Sequence, residues 1–266
     1  MIYTYTDEQL NGLNQEEAVY SVDPNLAQSK GHDIITDKSD DQLKPGETNI
    51  YRTSDGQRFK ILSVKNDPAT GFQGMAVAPI VNGQVDTNSV AVVAAGTTPT
   101  DLNDLKGAIT SINPELSSPQ LAVADEFLQE VRKNYHVTQL TGYSQGAYML
   151  KVGAKYHIPT TTFNAWFKYG ALSLKEKAFI ESNPSMFIDY RKKNDDVVVW
   201  NDFNHPEWYN TTTTNSMPST IHWLDGSSHK IGDWEFDPVT GQLVDGKGGK
   251  PLISGVYRAY ANSLRG

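Results

Sequence analysis

The order of apolar and polar positions divides the chain into three textures. From Asp7 to about Gly56 it is polar and acidic, broken by Ala18-Val19-Tyr20 and Leu26, which suit short helices, with Lys44-Pro45-Gly46 as a turn. From Arg58 the apolar runs lengthen. Phe59-Lys60-Ile61-Leu62-Ser63-Val64 and Gly74-Met75-Ala76-Val77-Ala78-Pro79-Ile80-Val81 predict two strands. Asn82-Gly83 after the second is a strong hairpin signal, because both residues tolerate the positive φ of a tight two-residue turn. Val90-Ala91-Val92-Val93-Ala94-Ala95 is a continuous apolar run, the pattern of a strand covered on both faces of a sheet.

From there the period switches back and forth. Ser118-Pro119 opens a helix in which Leu121, Ala124, Phe127, Leu128, Val131 and Tyr135 recur mostly three or four apart and form one apolar face. Residues 137–142 predict a strand, 145–157 a helix and 160–164 a strand. Ser173-Leu174-Lys175-Glu176 is a capping box opening a further helix, and 186–190 is another strand. Alternation from Val90 to Val199 predicts a mostly parallel sheet with helices on both faces and an antiparallel hairpin near its start, an α/β fold. Beyond Trp200 the sequence is irregular, aromatic and rich in turn residues. The expected organisation is an N-terminal extension over 1–56 packed on one domain over 57–266.

Composition narrows the partners. Among 266 residues, 38% are hydrophobic and 20% charged, which suits a globular chain. The net charge of -8 argues against nucleic acid, which calls for a basic footprint, and against electrostatic docking on anionic lipid. With no cysteine, disulfides and thiolate chemistry are excluded. No stretch approaches the roughly 20 apolar residues of a membrane span, and the N-terminus has no signal-peptide pattern. The expectation is therefore no integral membrane contact, with a cytoplasmic location and a signal-peptide-independent export route both open.

Gly142-Tyr143-Ser144-Gln145-Gly146 carries the chemistry. This is G-x-S-x-G between a strand and a helix, the context in which the pattern forms a nucleophile elbow. The glycines are needed because side chains flanking so sharp a turn would strike neighbouring backbone, and the serine is held strained with its hydroxyl exposed at the sheet's C-terminal edge. The N–H of Gln145 is placed to stabilise an oxyanion. A second donor is expected from Gly96-Thr97-Thr98-Pro99 after the buried strand, with the Thr97 N–H turned toward the site. In α/β-hydrolases an acid and then a histidine follow the serine in chain order. Of six histidines, His32, His136 and His157 precede the acid, and His205 follows it too closely. His222 and His229 remain, the latter in a polar, glycine-bounded loop and the former between Ile221 and Trp223, as in a strand or a buried aromatic cluster.

A strand ending in Gly96-Thr97, the acidic Asp101-Leu102-Asn103-Asp104, a helix, and then Leu140-Thr141-Gly142-Tyr143-Ser144-Gln145-Gly146-Ala147 together resemble the class 3 lipase group of α/β-hydrolases. There these segments read roughly "GT…DW..D" and "TGHSLGGA". Thr162-Phe163-Asn164-Ala165 is similar to the "TFNAPG" strand of bacterial lipase-like proteins in that group, some of which are type VII secretion effectors. The resemblance spans about Ser89 to Val199. Tyr143 stands in place of the usual His, Gln145 in place of Leu and Leu102 in place of Trp, departures that blur substrate class more than reaction type. The resemblance implies a lipase or esterase, with phospholipase activity within its range, using no cofactor or metal and acting on an acyl ester or lipid. It points to Asp195 in Asn194-Asp195-Asp196-Val197 as the acid, with Asp196 as alternative, and to His229 as the base, with His222 as alternative. It also places a lid near 99–117. Asp237 and Asp245 could suggest a cation site, but their spacing matches no known loop. Two other classes stay open: a catalytically silent binding module on the same fold, and a secreted effector whose extension meets a secretion chaperone or immunity protein.

Overall fold

The computed structural model describes residues 2–96, 119–167, 169–195 and 219–246. Nine strands form the main sheet in the order β11-β10-β9-β8-β7-β5-β4-β3, with β6 paired on β5. They are β3 (Ile50–Arg52), β4 (Arg58–Asp67), β5 (Phe72–Val81), β6 (Gln84–Val85), β7 (Val90–Ala94), β8 (Val137–Tyr143), β9 (Thr160–Phe163), β10 (Phe187–Lys192) and β11 (Ile221–Leu224). A separate parallel pair joins β1 (Ile34–Ile35) and β2 (Glu47–Thr48). Strands β7 to β11 run parallel, whereas β3, β4, β5 and β7 are joined antiparallel. This is the α/β architecture predicted from the alternating periods, parallel on one side of β7 and antiparallel on the other.

Residue type explains the sheet's two regimes. Every residue of β7 is buried, as a central strand sandwiched by two layers requires. The Asn82-Gly83 turn forms, with φ of 51° and 79°, but it joins β5 only to the two exposed residues of β6. The broad pairing of β5 is with β4 and β7.

Helices cover both faces. On one, α3 (Pro119–Arg132), α4 (Met149–Tyr156) and α5 (Leu174–Ser182) bury Phe127, Leu128, Leu150, Val152 and Ile180 against Val92, Ala94 and Leu140. The capping box at Ser173 and Glu176 is made in both directions. On the other, α1 (Asp7–Leu13) and the 3₁₀ turn Val19–Val22 bury Leu10, Leu13, Val19 and Tyr20 against Met75, Val77, Ala91 and Val93. The short helix α2 (Pro24–Lys30) follows. The first 56 residues thus also supply β3, which pairs with β4 at the sheet edge.

Candidate active site

The parallel strands all deliver their C-terminal ends to one edge, where sheets of this class place their ligands. β8 ends at Tyr143, and Ser144 follows with φ of +53°, a left-handed conformation rare outside glycine. A 3₁₀ turn, Ser144–Tyr148, leads into α4, so the helix expected from Gln145 begins one turn later as a regular α-helix. The glycines are sterically required. A Cβ on Gly142 would stand 2.1 Å from the Gly146 carbonyl oxygen, and one on Gly146 would stand 2.4 Å from that of Ala94. The Ser144 carbonyl accepts from the Trp166 N–H at 2.9 Å. Contrary to the expectation of an exposed hydroxyl, Ser144 is only 1% exposed, with Gly96, the Trp166 N–H and the His229 ring against it.

The Ser144 hydroxyl meets an imidazole. His229 Nε2 lies 2.9 Å from Ser144 Oγ, and His229 Nδ1 lies 2.6 Å from Asp195 Oδ2. Asp195 is fully buried, while the His229 side chain keeps 13% of its surface. With a carboxylate at Nδ1, the neutral ring carries its proton there and presents the Nε2 lone pair to the hydroxyl. His222 is elsewhere: it sits within β11, its ring 5.9 Å from that of Tyr190, and burial lowers its pKa. Gln145 follows Ser144 in the 3₁₀ turn. Thr97, Asp196 and the 99–117 segment lie outside the described residues.

The loop bearing His229 has neither helix nor strand between Leu224 and Phe236, and several of its backbone carbonyls are met by side chains. Asn164 Nδ2 donates to the Ser228 carbonyl at 3.1 Å, and the Tyr143 hydroxyl donates to that of His229. Asn11 Nδ2 and Gln15 Nε2 both donate to that of Ile231 at 3.1 Å, and the Lys192 ammonium donates to that of Asp233. Burial pushes the Tyr143 hydroxyl well above its ordinary range, so it stays protonated and remains a donor. Its ring also packs 5.1 Å from the His229 ring. Asn164, at φ of +44°, additionally accepts from the Lys192 N–H at 3.1 Å and so ties the ends of β9 and β10 to the loop. The Lys192 ammonium lies 4.5 Å over the Trp234 ring; burial lowers its pKa, while the Asp233 and Asp195 carboxylates raise it.

Sequence reasoning named the elbow and the two partners brought to it, but not these supports. Tyr143 stood out only as a departure from His. Asn164 lay unremarked inside a strand motif, and nothing in spacing links Asn11 or Gln15 to a loop more than two hundred residues away. Asp237 caps its own turn instead of gathering a cation: its Oδ1 accepts from the N–H groups of Val239 and Thr240 and from the Thr240 hydroxyl. Among the described residues no group of three or more His, Asp or Glu side chains is placed to hold a metal ion, and no helix is long and apolar enough to cross a membrane.

No family model and no curated protein matches the sequence. Among solved structures, a triacylglycerol lipase from Penicillium expansum is similar over 71% of this chain and 74% of its own, at 14% identity and a TM-score of 0.39.

Proposed function

We propose that this protein is a serine hydrolase that cleaves carboxylic esters through an acyl-enzyme on Ser144. The observation that carries the reading is the continuous hydrogen-bonded chain from Asp195 through His229 to Ser144, ending on a serine in the left-handed conformation. Ester-cleaving triads use this order of contacts.

In the proposed reaction His229 Nε2 takes the Ser144 proton as Oγ attacks the ester carbonyl carbon. The carbonyl π electrons move to oxygen, and the oxyanion is met by the backbone N–H groups of Gln145 and Thr97. Collapse of the tetrahedral adduct breaks the ester C–O bond, and His229 returns its proton to the departing alkoxide. A water, deprotonated by the same nitrogen, then hydrolyses the acyl-serine and regenerates the hydroxyl. Asp195 holds the Nδ1–H tautomer and stabilises the imidazolium, for which a buried carboxylate at 2.6 Å is well suited. No step calls for a cofactor or metal. An acyl ester, lipids included, is the substrate class that the class 3 lipase resemblance suggests.

The test is covalent labelling by a fluorophosphonate probe with peptide mapping, alongside turnover of a short-chain chromogenic ester. Labelling at Ser144 and a fall of at least about 10³-fold in turnover for Ser144→Ala are expected. Equal turnover by both proteins, or an unlabelled Ser144, would leave a silent binding module on this fold as the remaining reading.

A further inference from the structure

Both loops that flank Ser144 are gripped by the segment that precedes the sheet. The Tyr20 hydroxyl accepts the Gly96 N–H at 3.0 Å. Gly96 directly precedes the expected oxyanion donor and has no room to move. A Cβ there would lie 2.5 Å from the Tyr143 carbonyl oxygen and 3.1 Å from both Ser144 Cβ and the Tyr20 hydroxyl. On the opposite flank, Asn11 and Gln15 converge on the Ile231 carbonyl, two residues past His229, and Gln15 also donates to Asn11 Oδ1 at 2.7 Å. Between these grips, Asn14 Nδ2 donates to Thr141 Oγ1 at 2.8 Å on β8, three residues before the serine. Tyr20, Asn11 and Asn14 are at least 96% buried. Burial also raises the Tyr20 pKa far above its ordinary value, so its hydroxyl stays neutral.

We propose that the N-terminal segment is a positioning element of the active site, fixing Gly96 at the end of β7 through Tyr20 and the histidine loop through Asn11 and Gln15. The proposal rests on the serine-hydrolase reading above. Its physical basis is that an amide aimed at a carbonyl of an irregular loop sets the loop's height over the sheet, and nothing in the loop's own backbone replaces it. A displacement of about 1 Å at reacting groups is worth roughly 10²-fold in rate.

Three substitutions remove the grips while keeping side-chain shape: Tyr20→Phe, Asn11→Asp and Gln15→Met. Gln28→Ala, exposed in the same segment, is the control. For Tyr20→Phe, and for Asn11→Asp with Gln15→Met, kcat and the fluorophosphonate labelling rate are expected to fall about 10- to 100-fold, with KM within about twofold and cooperative unfolding retained. A second readout needs no turnover: the low-field proton resonance of the His229 Nδ1–H bound to Asp195. It is expected to shift or broaden in the Asn11→Asp, Gln15→Met protein and to be unchanged in Gln28→Ala. A resonance that moves in a chain inert toward esters would support the positioning role while refuting the hydrolase reading. An unmoved resonance, or kcat within about twofold of wild type in folded variants, would overturn the proposal.

Discussion

At Ser144 the backbone adopts a conformation that costs an ordinary residue about 1–3 kcal/mol, so the surroundings must enforce it. Gly142 and Gly146 do so by letting β8, the 3₁₀ turn and β7 approach within contact distance. Gly142→Ala should lower the unfolding free energy by about 1–3 kcal/mol, because a methyl 2.1 Å from a carbonyl oxygen must push the turn away from β8. Denaturant titration reads this directly, and labelling of Ser144 should slow in parallel. The elbow was legible in the sequence because its requirements are local: two glycines, a strand before and a helix after. The burial of Ser144 was not, because the residues against it, Gly96, Trp166 and His229, come from distant parts of the chain.

At the scale of elements, β10 and β11 show both kinds of outcome. The apolar neighbours Ile221 and Trp223 leave a strand and a buried aromatic cluster both open for His222, and the structure makes it a strand, pairing Tyr190 with His222 in parallel register. Chain order alone admits both His222 and His229 as the histidine that turns toward Ser144. Burial depresses the pKa of His222 from its ordinary 6.5, against the opposing pull of the Asp189 and Asp7 carboxylates. The unfolded chain therefore takes up the proton first. Stability is intact above the ordinary value, declines as pH falls through it toward the lowered folded value, and is not further lost below that. Replacing His222 with Gln should accordingly flatten the fall in thermal midpoint between about pH 7 and pH 5. A variant that loses midpoint as steeply as wild type would show that His222 is not the group responsible. The histidine loop itself was unreadable as an element, since it has no periodicity. It is built from carbonyls answered by side chains on α1, β8 and β10 and just after β9.

For the whole molecule, the two faces of the sheet carry separate apolar layers, one under α3, α4 and α5 and the other under the N-terminal segment. The polar look of residues 1–56 concealed the second layer. Buried Asp7, Asn11 and Asn14 lower the segment's average hydrophobicity, yet each is buried because it bonds to the sheet or to a loop. Tyr5, Leu10, Leu13, Val19, Tyr20 and Ile35 are all at least 96% buried. Without these side chains the apolar face of Met75, Val77, Ala91 and Val93 would lie open to water. Deleting residues 2–56 should therefore yield insoluble or unfolded protein. A soluble, cooperatively unfolding truncate, judged by circular dichroism and size-exclusion chromatography, would contradict this.

The carboxylate of Asp7 accepts from the Tyr190 hydroxyl and from the Leu243 N–H, closing a span of 236 residues at one buried oxygen. On the ribosome these partners emerge far apart in time. The buried oxygen of Asp7 gains its second donor only once Leu243, 236 residues further along, has been translated. The His229 ring likewise meets Ser144 and Asp195, and the Ile231 carbonyl meets Asn11 and Gln15, only after translation has passed β11.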